Sequence, residues 1–233
     1  VGAGGTAGFS HPLLEVRPAK RAAVLVLTGN RGLCGGYNSN IVRQALAILG
    51  QWRGEKVDVH TSVSGKRGIS ALKFRGLDID ERYTEFEDKP EFEQVAPIGR
   101  AYLDAYAAGK IDRLDVVYTK FDSIAKQSAV TEMLLPLKPP EADGGAKAET
   151  LASQDYDFYP SAASILEEIL PASFLARLFK CFLDAAVSEQ VARMVLVAIG
   201  RTEVDGPADV TDAIAIALAR LADARMEIAM ARR

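Results

Sequence analysis

At 233 residues and 48% hydrophobic content the chain can bury a substantial core, either as one domain or as a domain with an appendage. A formal net charge of −3 excludes nucleic-acid binding by field alone and a disordered acidic tail. Two cysteines (Cys34, Cys181) and two histidines (His11, His60), well separated, exclude a disulfide framework and argue against a metal site, so a reducing compartment is the simplest inference.

Glycines at 2, 4, 5 and 8 make residues 1–10 a flexible lead-in. Residues 1–8 lack the charged start and apolar centre of a signal peptide, and no apolar run in the chain approaches the roughly 18 residues a membrane span needs. The first strong pattern is AAVLVLTGNRGLCGGYNSNIVRQALAI at 22–48. It combines an apolar run of strand length, a turn with Gly29, Gly32, Gly35 and Gly36, and apolar residues at helical spacing (Ile41, Ala45, Leu46, Ile48, Leu49). A strand without polar alternation must be covered on both faces, so this unit opens a parallel sheet. The glycine spacing matches neither G-x-G-x-x-G nor G-x-x-x-x-G-K-[ST]. A tight turn is the favoured reading, with a nucleotide-binding Rossmann-like enzyme as the rival.

A second strand follows at 56–64, where Asp58 reads as a strand-end acid in preference to a ribose-binding one. Residues 65–76 suit a short helix with Ile69, Leu72 and Phe74 inward and a basic face of Lys66, Arg67, Lys73 and Arg75. Residues 77–83 read as an edge strand. Residues 91–109 read as a helix with Phe92, Val95, Ile98, Tyr102, Leu103 and Tyr106 inward, bent or shifted at its start by Pro97. Two strands at 113–124 and 128–137, with a three-residue link, form an antiparallel hairpin.

Residues 139–154 read as a loop, and Ser161 is placed to cap the longest helical pattern. Pro171 is expected to divide that pattern into 162–170 and 171–200. Its seam (Phe174, Leu178, Cys181, Ala185, Ser188, Ala192, Val195, Ile199) has small residues in the middle, as in a helix approached closely by another; the plainer reading, a helix lying on the sheet, holds for its first half. A turn at 202–209 and a second seam (Val210, Ile214, Ala217, Leu221, Ala224, Ile228) complete a helix folding back antiparallel. The expected fold is therefore α/β: a Rossmann-like sheet domain with an antiparallel strand pair at 11–160 and a long C-terminal helical hairpin at 161–233.

No nucleophile stands beside a base, and no cofactor fingerprint or metal-ligand spacing is present, so no catalytic, cofactor or metal residue is assigned. HPLLEVRPAKR at 11–21, RGLCGGYNSNI at 31–41, YTKFDSIAKQSAVTEMLLPL at 118–137 and SEQVARM at 188–194 occur in that order. Together they resemble the gamma subunit of F-type ATP synthases, over most of residues 11–195. The resemblance implies a non-catalytic central-stalk rotor that couples rotation to ATP synthesis through protein contacts. Its place would be the cytoplasmic face of an energy-transducing membrane, peripheral and held there through partners.

By position, it implies that Arg31, Gly32, Leu33, Cys34, Gly35 and Gly36 pass near the levers of the catalytic beta subunits. Glu189 and Arg193 would lie at the same levers, Arg193 pairing with their acidic groups. Asp155, Tyr156, Phe158 and Tyr159 would form the foot facing the epsilon subunit and the c ring. In the family's ARQxxIT tail, Arg, Gln and Thr grip the alpha/beta ring. Arg225 keeps the arginine, while Met226 and Met230 replace the two hydrogen-bonding residues, so a weaker hold on the ring is expected. Family members carry a long N-terminal helix ahead of the HPLLE segment, where this sequence has its glycine-rich lead-in, and the paired-cysteine insertion of the chloroplast form does not occur. A truncated or redesigned gamma head, a divergent natural relative and an engineered scaffold without activity all fit these departures.

Overall fold

The computed structural model describes residues 11–32, 34–86, 89–137 and 162–198. The expectations for 1–10, 139–154, Ser161, Ile199, the turn at 202–209 and the seam at 210–228 lie outside the described residues.

Five strands form one sheet in the order β3-β2-β1-β4-β5. Strands β1 (Arg21–Leu27), β2 (Asp58–Ser64), β3 (Glu81–Tyr83) and β4 (Arg113–Ser123) run parallel, and β5 (Lys126–Leu135) pairs antiparallel with β4. Six of the seven residues of β1 are buried, which is why its sequence carries no polar alternation. The link between β4 and β5 has two residues, not three, because Ser123 pairs directly with Lys126.

Helices α1 (Tyr37–Gly54) and α2 (Lys66–Phe74) cover one face, where Ile41, Ala45, Trp52 and Leu72 meet Val24, Val26, Val63 and Val117. On the other face lie α3 (Phe92–Ala107) and α4 (Ala162–Ala198), where Tyr102, Tyr106, Phe174 and Leu178 meet Leu25, Leu27, Val116 and Tyr118.

Three helix expectations need correction. Phe74 is 91% exposed, since it lies about 200° around α2 from the buried Leu72 and the two cannot share a face. Phe92 is 40% exposed and sits edge-on to Phe179 of α4 instead of entering the core. Pro171 does not divide the long helix, which runs unbroken from Ala162 to Ala198. A proline there removes the bond to the carbonyl of Glu167, an exposed residue at which water can replace it, while Leu170 and Phe174 are anchored in the core. Pro97 likewise lies inside α3 without shifting its start, which is held by the Gln94 side chain accepting from the Glu91 amide at 3.2 Å.

The seam of α4 packs on the sheet domain in both halves. Phe174 to Ala185 lie in the α3-side core, whereas Ala192 joins the core on the α1 side and Val195 packs with Phe121. The helix therefore passes across the ends of the strands between those positions.

Candidate functional site

The crossing happens at the C-terminal end of β1, beside β4, where the order of the strands reverses. In open parallel sheets this is the crevice that takes ligands. Thr28, the first residue after β1, donates from Oγ1 to the Ser64 carbonyl at 2.7 Å and accepts there from the Gly68 amide at 3.0 Å. Asn30 donates to the Phe86 carbonyl at 2.6 Å and accepts from the Lys66 amide at 3.0 Å. The Gly29 amide donates to Asn38 Oδ1 at 2.9 Å, and Asn38 Nδ2 donates to Cys34 Sγ at 2.9 Å. The glycine turn is thus tied to β2, to α2 and to the first turn of α1.

α4 closes the crevice from the other side. Tyr37 donates its hydroxyl to the Ala185 carbonyl at 2.9 Å in a buried contact, and buried Ser188 donates to the Thr119 carbonyl at 3.4 Å. A methyl group at Gly29 would come within 2.5 Å of a carboxylate oxygen of Glu189, and one at Gly32 within 2.6 Å of the Arg67 guanidinium. Those glycines serve the approach of this chain's own side chains. The carboxylate of Glu189 stands where an anionic ligand of a dinucleotide fold would sit, and Asp58 opens β2 at the opposite end of the sheet.

The charges converge on Cys34. Burial raises its thiol most, the Glu189 carboxylate raises it further, and the Asn38 hydrogen bond with the Arg193 and Arg67 charges pulls it back, leaving it at about 11. Such a thiol is protonated at neutral pH and is neither a nucleophile nor a metal ligand. Among the described residues, no group of His, Cys, Asp and Glu side chains could hold a metal ion.

Of the sequence-predicted site residues, Cys34 lies beside Glu189 and Arg193 at this crevice and Gly32 lies against Arg67. Gly35, with φ of 55°, and Gly36, the N-cap of α1, complete the turn, and Arg31 is exposed. Leu33, Asp155, Tyr156, Phe158, Tyr159 and Arg225 lie outside the described residues. Sequence reasoning missed Thr28, Asn30, Tyr37 and Asn38, and placed Arg67 on a solvated face. Polar residues crowded around a glycine turn were the available signal for the first four.

A second clamp holds α4 farther back. Tyr118 donates to Glu132 Oε2 at 2.6 Å and Arg177 to Glu132 Oε1 at 2.9 Å. Burial works to raise the Glu132 carboxyl, but the two hydrogen bonds and the Arg177 charge bring it below the ordinary value.

A family model described as ATP synthase matches residues 3–199. An ATP synthase gamma chain from Rhodopirellula baltica is 52% identical over 199 residues, covering 84% of this chain and 67% of the relative. One from an Exiguobacterium species is 34% identical over 192 residues, covering 82% and 65%. The chain thus spans about two thirds of the length of these curated relatives. Among solved structures, the fold is similar to a chain of the Tetrahymena thermophila mitochondrial ATP synthase central stalk and c-ring structure, with a TM-score of 0.59, 19% identity and 80% and 79% of the two chains covered. It is also similar to a chain of the Euglena gracilis mitochondrial ATP synthase rotor, with a TM-score of 0.54, 17% identity and 97% and 83% covered.

Proposed function

The chain belongs to the family of ATP synthase gamma chains, and from that premise we propose that it serves as the central-stalk rotor of a proton-translocating F-type ATP synthase. It couples rotation to ATP synthesis through protein contacts and contributes no catalytic side chain. The observation that carries this reading is the junction of the 29–36 turn with Glu189 and Arg193 of α4: two segments about 155 residues apart form one surface at the ends of the strands. Arg31 and Arg193 there are suited to acidic groups of the catalytic beta subunits, because a guanidinium keeps its charge and offers a planar fork of donors.

On this reading, Asp155, Tyr156, Phe158 and Tyr159 face the epsilon subunit and the c ring, and Arg225 contributes to the hold on the alpha/beta ring. The sheet domain of 11–160 is the head and 161–233 the helical appendage. Among the described residues no helix is long and apolar enough to cross a membrane. The reading accordingly puts the chain at the cytoplasmic face of an energy-transducing membrane, reached through its partners.

The test is a pull-down of the purified chain against a relative's epsilon subunit and, separately, against its alpha/beta ring. Binding to epsilon is expected, with a weaker ring interaction that Arg193→Glu reduces further. Binding to neither partner would overturn the proposal.

A further inference from the structure

The two edges of the sheet differ. β3, at one edge, has three residues, two of them charged, a short edge of the kind that resists pairing with another chain. β5, at the other, has ten, and its run QSAVTEM at 127–133 holds neither proline nor lysine. The one charged side chain of that run, Glu132, is engaged by Tyr118 and Arg177. No strand lies beyond β5 among the described residues.

Two hydrogen bonds fix which of its backbone groups face out. Ala129 stands opposite Thr119, whose carbonyl turns toward buried Ser188 of α4, while the Ala129 carbonyl accepts from Gln44 of α1 at 3.4 Å in an exposed contact. The backbone groups of this pair point away from each other, so the alternation of an antiparallel ladder turns the N–H and C=O of Gln127, Ala129 and Thr131 outward. α1 runs in the same direction as β5, since it reverses the chain between parallel β1 and β2 and β5 opposes β4. Its flank on the Gln44 side carries Asn40, Gln44, Ala47 and Gln51, within about 60° of one another. Each amide is both donor and acceptor, so this flank is complementary to itself.

We propose that β5 pairs edge to edge with β5 of a second copy of this chain, antiparallel about a two-fold axis at Ala129. That register puts the smallest side chain of the run on the axis and Gln127 opposite Thr131 of the second copy. It also puts Lys126, 76% exposed, opposite the partly exposed Glu132 on the same face, once at each end of the ladder. An axis at Val130 would set Lys126 against the buried Leu134 and lose both ion pairs. A contact of this kind is isologous and closes at two copies. None of these residues belongs to the surface formed by the 29–36 turn with Glu189 and Arg193, so the two readings fail separately.

The experiment is analytical ultracentrifugation of the full chain from low to high micromolar concentration, where a concentration-dependent shift to twice the mass is expected. Lys126→Glu, at an exposed position beside the hairpin turn, should weaken the dimer about tenfold or more, because like charges then stand opposite each other at both ends. Ala129→Pro removes an outward N–H while leaving the ladder to β4 in place, and should abolish the dimer. If the proline lowers the melting temperature, the Lys126→Glu result decides alone. A chain that stays monomeric throughout would overturn the proposal. So would a dimer that Lys126→Glu leaves at full strength, which would mean that the copies meet on another surface.

Discussion

Adding one methyl group has very different consequences at two glycines that flank the same crevice. Gly65 has φ of 98°, and a Cβ there would lie 2.1 Å from the Thr28 carbonyl oxygen, a backbone atom of a residue whose amide is fixed by donating to the Ser64 carbonyl at 2.8 Å. Gly65→Ala should therefore destabilise the fold by about 3 kcal/mol or more, since a left-handed conformation and a backbone clash add together. Gly29→Ala meets only the flexible end of Glu189, so about 1 kcal/mol or less is expected. Denaturant midpoints of the two variants would compare them directly, and similar losses would mean that the crevice is not packed as described. Cys34 gives a second residue-scale prediction. Its folded pKa, at about 11, is raised above the unfolded value, so its contribution to stability is complete below about pH 8.5 and is lost as pH rises through the folded pKa. Alkylation of Cys34 at pH 8 should be far slower in the native chain than in denaturant. Comparable rates would contradict the burial of the thiol.

Elements differed in how much of them the amino-acid pattern reveals. The opening β1–turn–α1 unit was legible because a strand buried on two faces must be apolar throughout, and a helix buried on one side must repeat every three to four residues. Pro171 was misread because periodicity says nothing about whether the freed carbonyl faces water or core. Phe74 was misplaced because a hydrophobic count ignores angle: Ile69 and Leu72 share a face of α2 and Phe74 does not. The docking of α4 rests partly on a carboxylate that no motif marks. Glu132 has a lowered folded pKa, so its contribution is present above the unfolded value near 4.3 and is lost as pH falls through the folded one. Glu132→Gln should cost about 1 kcal/mol at neutral pH, discounted for partial exposure, and should make the acid limb of the stability profile shallower. An unchanged acid limb would show that the clamp does not matter.

At the scale of the molecule, the meeting of 29–36 with 188–193 could be expected from the family resemblance but not from composition or spacing, because a contact across so many residues leaves no local periodicity. With Glu189 occupying the sheet crevice, millimolar NAD or NADP should leave the melting temperature where it is. A ligand at 100 times its dissociation constant would add about 2.7 kcal/mol, so a clear upward shift would return the dinucleotide reading to contention. Tyr37→Phe, which removes the hydroxyl bond to Ala185, should lower stability by about 1 kcal/mol while leaving the helical signal intact. The same bond belongs to a set with a mechanical meaning. Along α4, Arg177, Ala185, Ser188 and Glu189 each engage a different part of the sheet domain: β5 through Glu132, α1 through Tyr37, β4 through Thr119 and the β1 turn through Gly29. Rolling the helix by one residue, about 100°, would have to undo all four at once. The helix is keyed to the head like a splined shaft, and a torque applied at its far end arrives without slip.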